Sequence, residues 1–173
     1  PDVKTFTLTA DVNSSTPHLA PFKAGQYITI HLTIDSSPVT RAYSLSSSPS
    51  LASKDIYKIT IKRVENGLVS NYMLDEIKVG DKLDVSMPAG EFGYNSVTDE
   101  ENVIGIAGGS GITPFMSLAG AILDGIVDCN LTVFYSVRTY EDIIFKNEIE
   151  EINKKSKKVK FMITLTREEK EGY

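Results

Sequence analysis

Residues 103–114 read Val-Ile-Gly-Ile-Ala-Gly-Gly-Ser-Gly-Ile-Thr-Pro, and the order of residue types predicts a strand, a sharp turn and a helix start. The apolar run at 103–107 is short enough for a buried strand. Gly108, Gly109 and Gly111 then remove the β-carbons where the backbone must turn sharply. Thr113 and Pro114 open a helix over 114–124: threonine can cap orphan amides of the first turn, and proline suits the first helical position. Phe115, Met116, Leu118, Ala119, Ile122 and Leu123 supply its apolar side, and Gly125 ends it. Free N–H groups and the positive end of a helix dipole at such a start favour an anion over the turn. The stretch is no P-loop, because no Gly-Lys-Ser/Thr follows, and it departs from G-x-G-x-x-G because Pro114 stands at the third glycine. At this level a phosphate site and a plain tight turn of an α/β fold both fit.

Downstream, strand and helix alternate: strands at 131–137 and 159–165, with a helix at 140–152 between them. Thr139 and Asp142 form a candidate capping box, Phe145, Ile149 and Ile152 form one apolar stripe, and lysines follow it, complementing the helix dipole. This is a right-handed β-α-β-α-β unit on a parallel sheet. Its third strand would be an apolar edge running into a charged tail, which suggests a fragment of a longer chain. Pro1, set directly against the first strand, suggests a cut there too, although removal of a methionine before proline would look the same.

Upstream the pattern is all β. Phe6, Leu8 and Ala10 alternate, as do Ile28, Ile30, Leu32 and Ile34, then Tyr57, Ile59 and Ile61, then Leu83, Val85 and Met87. Turn chemistry separates them: Thr16-Pro17, Ala24-Gly25, the run at 35–38, Ser48-Pro49, Asn66-Gly67 and the run at 79–81. One short helix is expected at 70–76. Many short strands at this spacing suggest a small antiparallel barrel or sandwich, and the polar, acidic run at 96–101 marks the boundary with the second unit.

Composition excludes several function classes. The 173 residues carry 24% charged and 41% hydrophobic residues with no long apolar run, so neither a membrane span nor a signal peptide is expected. A net charge of -5 argues against nucleic acid as a partner, since a phosphate backbone calls for a basic face. A single cysteine, Cys129, permits no internal disulfide and no cysteine-built metal site, and points to a reducing, cytoplasmic setting. It reads as a packed residue at a strand entrance. His18 and His31 match no motif, and no metal is expected.

Three stretches of the β region complete the pattern. Gly25-Gln26-Tyr27 opens a strand; Arg41-Ala42-Tyr43-Ser44 follows, with Ser-x-Pro at 47–49; Gly67-Leu68-Val69-Ser70 opens a short helix. In this order, ahead of Gly109-x-Gly111-x-x-Pro114, they resemble the ferredoxin–NADP reductase superfamily. The resemblance implies two domains: an all-β antiparallel Greek-key barrel for FAD at 1–99, then the N-terminal part of an NAD(P)-binding α/β domain with a parallel sheet at 100–173.

Carried over to this sequence, the resemblance implies specific roles. Arg41 would pair with the flavin pyrophosphate, which a guanidinium fork matches. Ala42 and Tyr43 would lie along the flavin, and Ser44 would present a hydroxyl near its N5 atom. Gly67, Leu68, Val69 and Ser70 would offer amides and a hydroxyl to the pyrophosphate at a helix start; an Asn-Gly hairpin followed by a serine cap is the plain alternative. Thr60, Ile61 and Lys62 would line the flavin. Gly108, Gly109, Gly111 and Pro114 would admit NADPH or NADH, and Thr113 would stand where nicotinamide and flavin meet. Ser44 and Thr113 are therefore the candidate catalytic residues. Arg138 and Arg167, at strand ends, would hold the adenosine ribose or a 2′-phosphate, which favours NADPH.

The activity so implied is that of an NAD(P)H-dependent flavin reductase serving an iron–sulfur, haem or flavodoxin-type acceptor protein or domain. The alternative is a flavin-carrying electron-transfer subunit without its own turnover, similar to that of dihydroorotate dehydrogenase. The family's second nucleotide half, with its Cys-Gly-Pro segment, is absent from this sequence, and Cys129 does not occupy that cysteine's place.

Overall fold

The computed structural model describes residues 2–173; Pro1 lies outside them. Five β-strands make up the first unit: β1 (Val3–Thr9), β2 (Tyr27–Ile34), β3 (Ser37–Ser44), β4 (Ile56–Lys62) and the short β5 (Asp84–Val85), with helix α1 (Leu68–Asp75) after β4. β1 pairs antiparallel with β4, and β2 lies antiparallel between β3 and β5. The bridge between Leu45 and Ile59 joins the two sheets. The β2–β3 hairpin is closed by two residues in the left-handed region, Asp35 at φ 49° and Ser36 at φ 62°, the turn whose twist matches paired strands. Alternation then decides the interior: Ile28, Ile30, Tyr57, Ile59 and Ile61 point inward and, with Met73 and Leu74 of α1, form the buried core.

The second unit runs β6 (Asn102–Gly108), α2 (Thr113–Leu123), β7 (Asn130–Val137), α3 (Lys146–Lys155) and β8 (Val159–Leu165). The parallel order β6-β7-β8 is sequential, so both right-handed crossovers carry their helices to the same face. There Leu131, Val133, Tyr135, Val159 and Phe161 meet Phe115, Leu118, Ala119, Ile122 and Ile149. Gly105 makes the close approach of α2 possible, since a β-carbon at this position would stand 2.5 Å from the Phe115 ring. The opposite face presents Ile104, Ile106, Phe134 and Met162 to solvent.

Local details differ from the sequence pattern in four places. The helix expected at 140–152 begins only at Lys146. Thr139 does engage Asp142, its hydroxyl 3.0 Å from the carboxylate, but this closes only the 3-10 turn Tyr140–Asp142. Ile143 and Ile144 are then buried, the Ile144 amide donating to the Tyr135 hydroxyl at 3.3 Å. Phe145 turns left-handed at φ 60°, so it stands before the helical stripe of Ile149 and Ile152 and not within it. Seating these apolar residues on the sheet outweighs a continuous helix. Thr113 is no cap: the 3-10 turn Gly109–Ile112 runs straight into α2, and the Thr113 hydroxyl donates back to the Ser110 carbonyl at 3.0 Å. α1 starts at Leu68, ahead of the expected residue 70, because Asn66 at φ 57° turns the chain and Gly67 caps the helix. The strand expected around Leu83, Val85 and Met87 shrinks to two residues, with Met87 74% exposed.

Candidate functional site

One cleft of about 510 Å³ opens between the two units, within the roughly 300–1,000 Å³ of small-molecule sites. Its first wall is the end of β3, with Arg41, Ala42, Tyr43 and Ser44, and the end of β4, with Thr60, Ile61 and Lys62. The start of α1 closes that wall through Gly67, Leu68, Val69 and Ser70. The opposite wall is the glycine turn and the start of α2, through Gly111, Thr113 and Pro114. Val64 and Ser110, which sequence reasoning missed, complete the lining. Ser110 stands next to Gly111 and Val64 three residues before Gly67, which was the available signal, but neither residue type stands out alone.

The electrostatics follow from the elements. The first-turn amides of a helix have no intrahelical acceptor. Two helical starts border this cleft, that of α1 and that of the 3-10 turn Gly109–Ile112 leading into α2, together with Arg41 and Lys62, while no carboxylate lines it. The Arg41 guanidinium is exposed, with one nitrogen donating to the Thr40 carbonyl at 3.0 Å. Burial pushes the Tyr43 phenol above its ordinary pKa, a shift that the neighbouring Arg41 charge opposes.

The supporting hydrogen bonds set these walls. The Thr60 hydroxyl is buried, bonded to the Thr5 hydroxyl at 2.9 Å and to that of Ser46 at 3.1 Å. The Ser70 hydroxyl accepts from the Val64 amide at 3.1 Å and so shapes the turn that presents the start of α1. Gly67 is required there, because a β-carbon would stand 2.6 Å from that hydroxyl oxygen. Lys62 reaches across to the second unit and donates to Asp142 at 2.9 Å. That ammonium, with the Thr139 bonds behind it, holds the Asp142 carboxyl below its ordinary pKa.

The glycine turn leaves room in front of it. β-carbons built on Gly109 and Gly111 would meet nothing within 4 Å, and one on Gly108 would meet only the Ser136 carbonyl at 4.0 Å. Gly108 and Gly109 border the cleft without lining it. An open, glycine-floored, acid-free space beside two helix starts fits a dinucleotide phosphate. Arg138 and Arg167 lie elsewhere, exposed just beyond β7 and β8 and joined by a backbone bond of 2.9 Å. Beside them the Tyr140 ring carries the Lys146 and Lys170 ammonium groups 3.6 and 3.2 Å from its centroid.

Comparison with known proteins agrees with this fold. Residues 1–94 match the family described as oxidoreductase FAD-binding domain, and residues 106–173 match the oxidoreductase NAD-binding domain. The glycine betaine monooxygenase reductase subunit of Pseudomonas aeruginosa is 41% identical over 150 residues, covering 86% of this chain and 39% of that protein. The chain thus spans about two-fifths of the length of such relatives. Among solved structures, the flavohem-like FAD/NAD-binding domain of nitric oxide dioxygenase from Vibrio cholerae superposes with a TM-score of 0.84 at 25% identity, over 99% of this chain and 71% of that one. Phthalate dioxygenase reductase superposes at 0.75 with 27% identity, over 99% and 50%. No helix among the described residues is long and apolar enough to cross a membrane. With both units matched, the chain belongs to the ferredoxin–NADP reductase superfamily of FAD- and NAD-binding oxidoreductases.

Proposed function

We propose that this chain forms the flavin and nicotinamide core of an NAD(P)H-dependent reductase that passes electrons through FAD to a protein acceptor carrying an iron–sulfur, haem or flavodoxin-type centre. The supporting observation is the convergence of two helix starts and Arg41 on one cleft that no carboxylate lines. When bound, the flavin would supply the redox chemistry, taking two electrons from the nicotinamide and passing them on singly. The chain's own residues bind, orient and exclude water. Arg41 and the amides of Leu68, Val69 and Ser70 take the pyrophosphate, and Tyr43 lies along the flavin. Gly67, whose own amide donates to the Val64 carbonyl at 2.9 Å, shapes the turn that presents those amides. Ser44 and Thr113, which line the cleft from its two walls, take the reacting edge. Gly108, Gly109 and Gly111 admit the nicotinamide cofactor, with Arg138 and Arg167 at its adenosine end, which favours NADPH.

The same reading divides the chain at residues 1–99 and 100–173 and sets it in the cytoplasm, in keeping with the free, buried Cys129. The acceptor's chemistry is supported by relatives on both sides: phthalate dioxygenase reductase is described as serving a 2Fe–2S centre, and the Vibrio cholerae domain as flavohem-like. The test is the visible spectrum of the chain after FAD is added and the mixture is gel-filtered. Flavin bands should co-elute with the wild-type chain and bleach under anaerobic NADPH. A colourless wild-type peak overturns the reading.

A further inference from the structure

Helix α2 does more than end at the cleft. Thr113, Ser117, Gly120 and Asp124 follow one another at spacings of four, three and four residues, which places them along one side of the helix. Thr113 lines the cleft, and the other three meet a single segment of the β unit. The Ser117 hydroxyl, fully buried, donates to the Ser47 carbonyl at 2.7 Å. Gly120 lies against Ser48, where a β-carbon on the glycine would stand 2.9 Å from that of the serine and 3.2 Å from its Cα. Asp124 accepts from the Ser50 hydroxyl at 2.5 Å, and bonds from Ser48 and Ser50 hold its carboxyl below the ordinary carboxylate pKa.

That segment is the direct continuation of the strand that carries Arg41, Tyr43 and Ser44. It is tied in turn to β4, the Ser46 amide donating to the Lys58 carbonyl at 2.8 Å and the Lys58 amide to the Ser47 hydroxyl at 3.1 Å. Both partners therefore start at the cleft and run away from it side by side. Such a contact transmits any shift of the helix to the cleft's nucleotide-side wall, because close-packed elements move as units.

We infer that Gly120 is a positioning residue: the close contact of α2 with Ser48 sets the distance between the flavin wall and the Thr113 wall, and with it the rate at which the nicotinamide reduces the flavin. The inference rests on the reading of the cleft as the site where the two cofactors meet. It differs from a merely structural role in separating flavin binding, which the β unit provides, from reduction, which needs both walls.

The variant Gly120→Ala tests it in the full chain. Alanine is the stronger helix former, so α2 persists while the new β-carbon pushes it off Ser48. The affinity for FAD should stay within about two-fold of wild type, while reduction at saturating NADPH, followed by stopped flow, should slow by about ten-fold or more; a misplacement of about 1 Å can cost on the order of a hundred-fold. Adding Ser48→Gly, which removes the facing β-carbon, should recover most of the lost rate. Quenching of the bound flavin by iodide, measured without nicotinamide, should rise in Gly120→Ala and fall back in the double variant as the displaced wall opens and closes. Unchanged reduction and quenching in Gly120→Ala overturn the inference, as does parallel loss of FAD affinity and rate, or a double variant no better than the single. A wild-type chain that binds FAD but is reduced by neither NADPH nor NADH counts against the proposed function, and quenching alone then decides the positioning role. A wild-type chain that takes up no FAD overturns both.

Discussion

Arg41 and Gly67 border the same cleft for opposite reasons. Arg41 is exposed and bonded to its neighbour's carbonyl, so its charge is available and its removal leaves the fold alone. Arg41→Ala should weaken FAD binding by roughly 10–100-fold, the value of a charge-assisted hydrogen bond, while the melting temperature moves by less than about 1 °C. Fluorescence titration and a thermal melt check this together. Gly67→Ala drives a β-carbon to within 2.6 Å of the Ser70 oxygen and 2.8 Å of the Val64 β-carbon, an overpacking that should cost about 1–3 kcal/mol. Urea unfolding should show that loss, and FAD affinity should fall with it, because the displaced turn carries the first amides of α1. The identity of both residues was legible in the sequence: R-x-Y-S and G-x-x-S are short patterns whose chemistry can be named. Val64 and Ser110 were not, since each acts here only through its neighbour's geometry.

The 3-10 turn Tyr140–Asp142 is the element whose form the sequence misreported, and it carries a testable consequence. Thr139 and Asp142 have the spacing of a capping box, yet the helix waits until Lys146 because Ile143 and Ile144 are drawn onto the sheet. The turn is stabilised from outside, by the Lys62 ammonium at 2.9 Å. Because the folded Asp142 carboxyl titrates below the ordinary 3.8, the unfolded chain binds its proton first as pH falls. Its contribution is fully present above about pH 4 and is lost as pH drops through the folded value. Asp142→Asn should therefore lower the melting temperature by about 2–4 °C at pH 7. The gap to wild type should narrow as pH falls through that folded value, and a gap that acid leaves unchanged would show that the charge is not what matters. Where alternation or a glycine turn dominates, as in β2, β4 and β6, elements were legible; where two adjacent apolar residues compete with a cap, they were not.

Strand order decides what the whole molecule exposes. With β6, β7 and β8 in sequential order, both helices cover one face of the parallel sheet, and Ile106 on the other face is 83% exposed. Ile106→Lys should shift the melting temperature by no more than about 2 °C, as for ordinary surface positions. Val133→Lys, on the covered face of the same sheet, should abolish cooperative melting by burying an unpaired charge. The same parallel pairing brings the ends of β7 and β8 together, which sets Arg138 beside Arg167. Replacing both by alanine should raise the half-saturating NADPH concentration about ten-fold or more and leave that for NADH within about two-fold. Equal effects on the two cofactors would remove the argument for a 2′-phosphate.

What the sequence by itself determined was local: the alternation of β2 and β4, the glycine turn and helix start after β6, the β-α-β-α-β order, and the residue types along the cleft. Each rests on interactions within a few residues, which a linear pattern records. Tertiary structure alone decided that these pieces form one cleft. The bond from Ser117 to Ser47 joins residues 70 apart, and the Lys62–Asp142 pair joins residues 80 apart. No spacing rule encodes such contacts, because they exist only once two separately built cores have packed against each other.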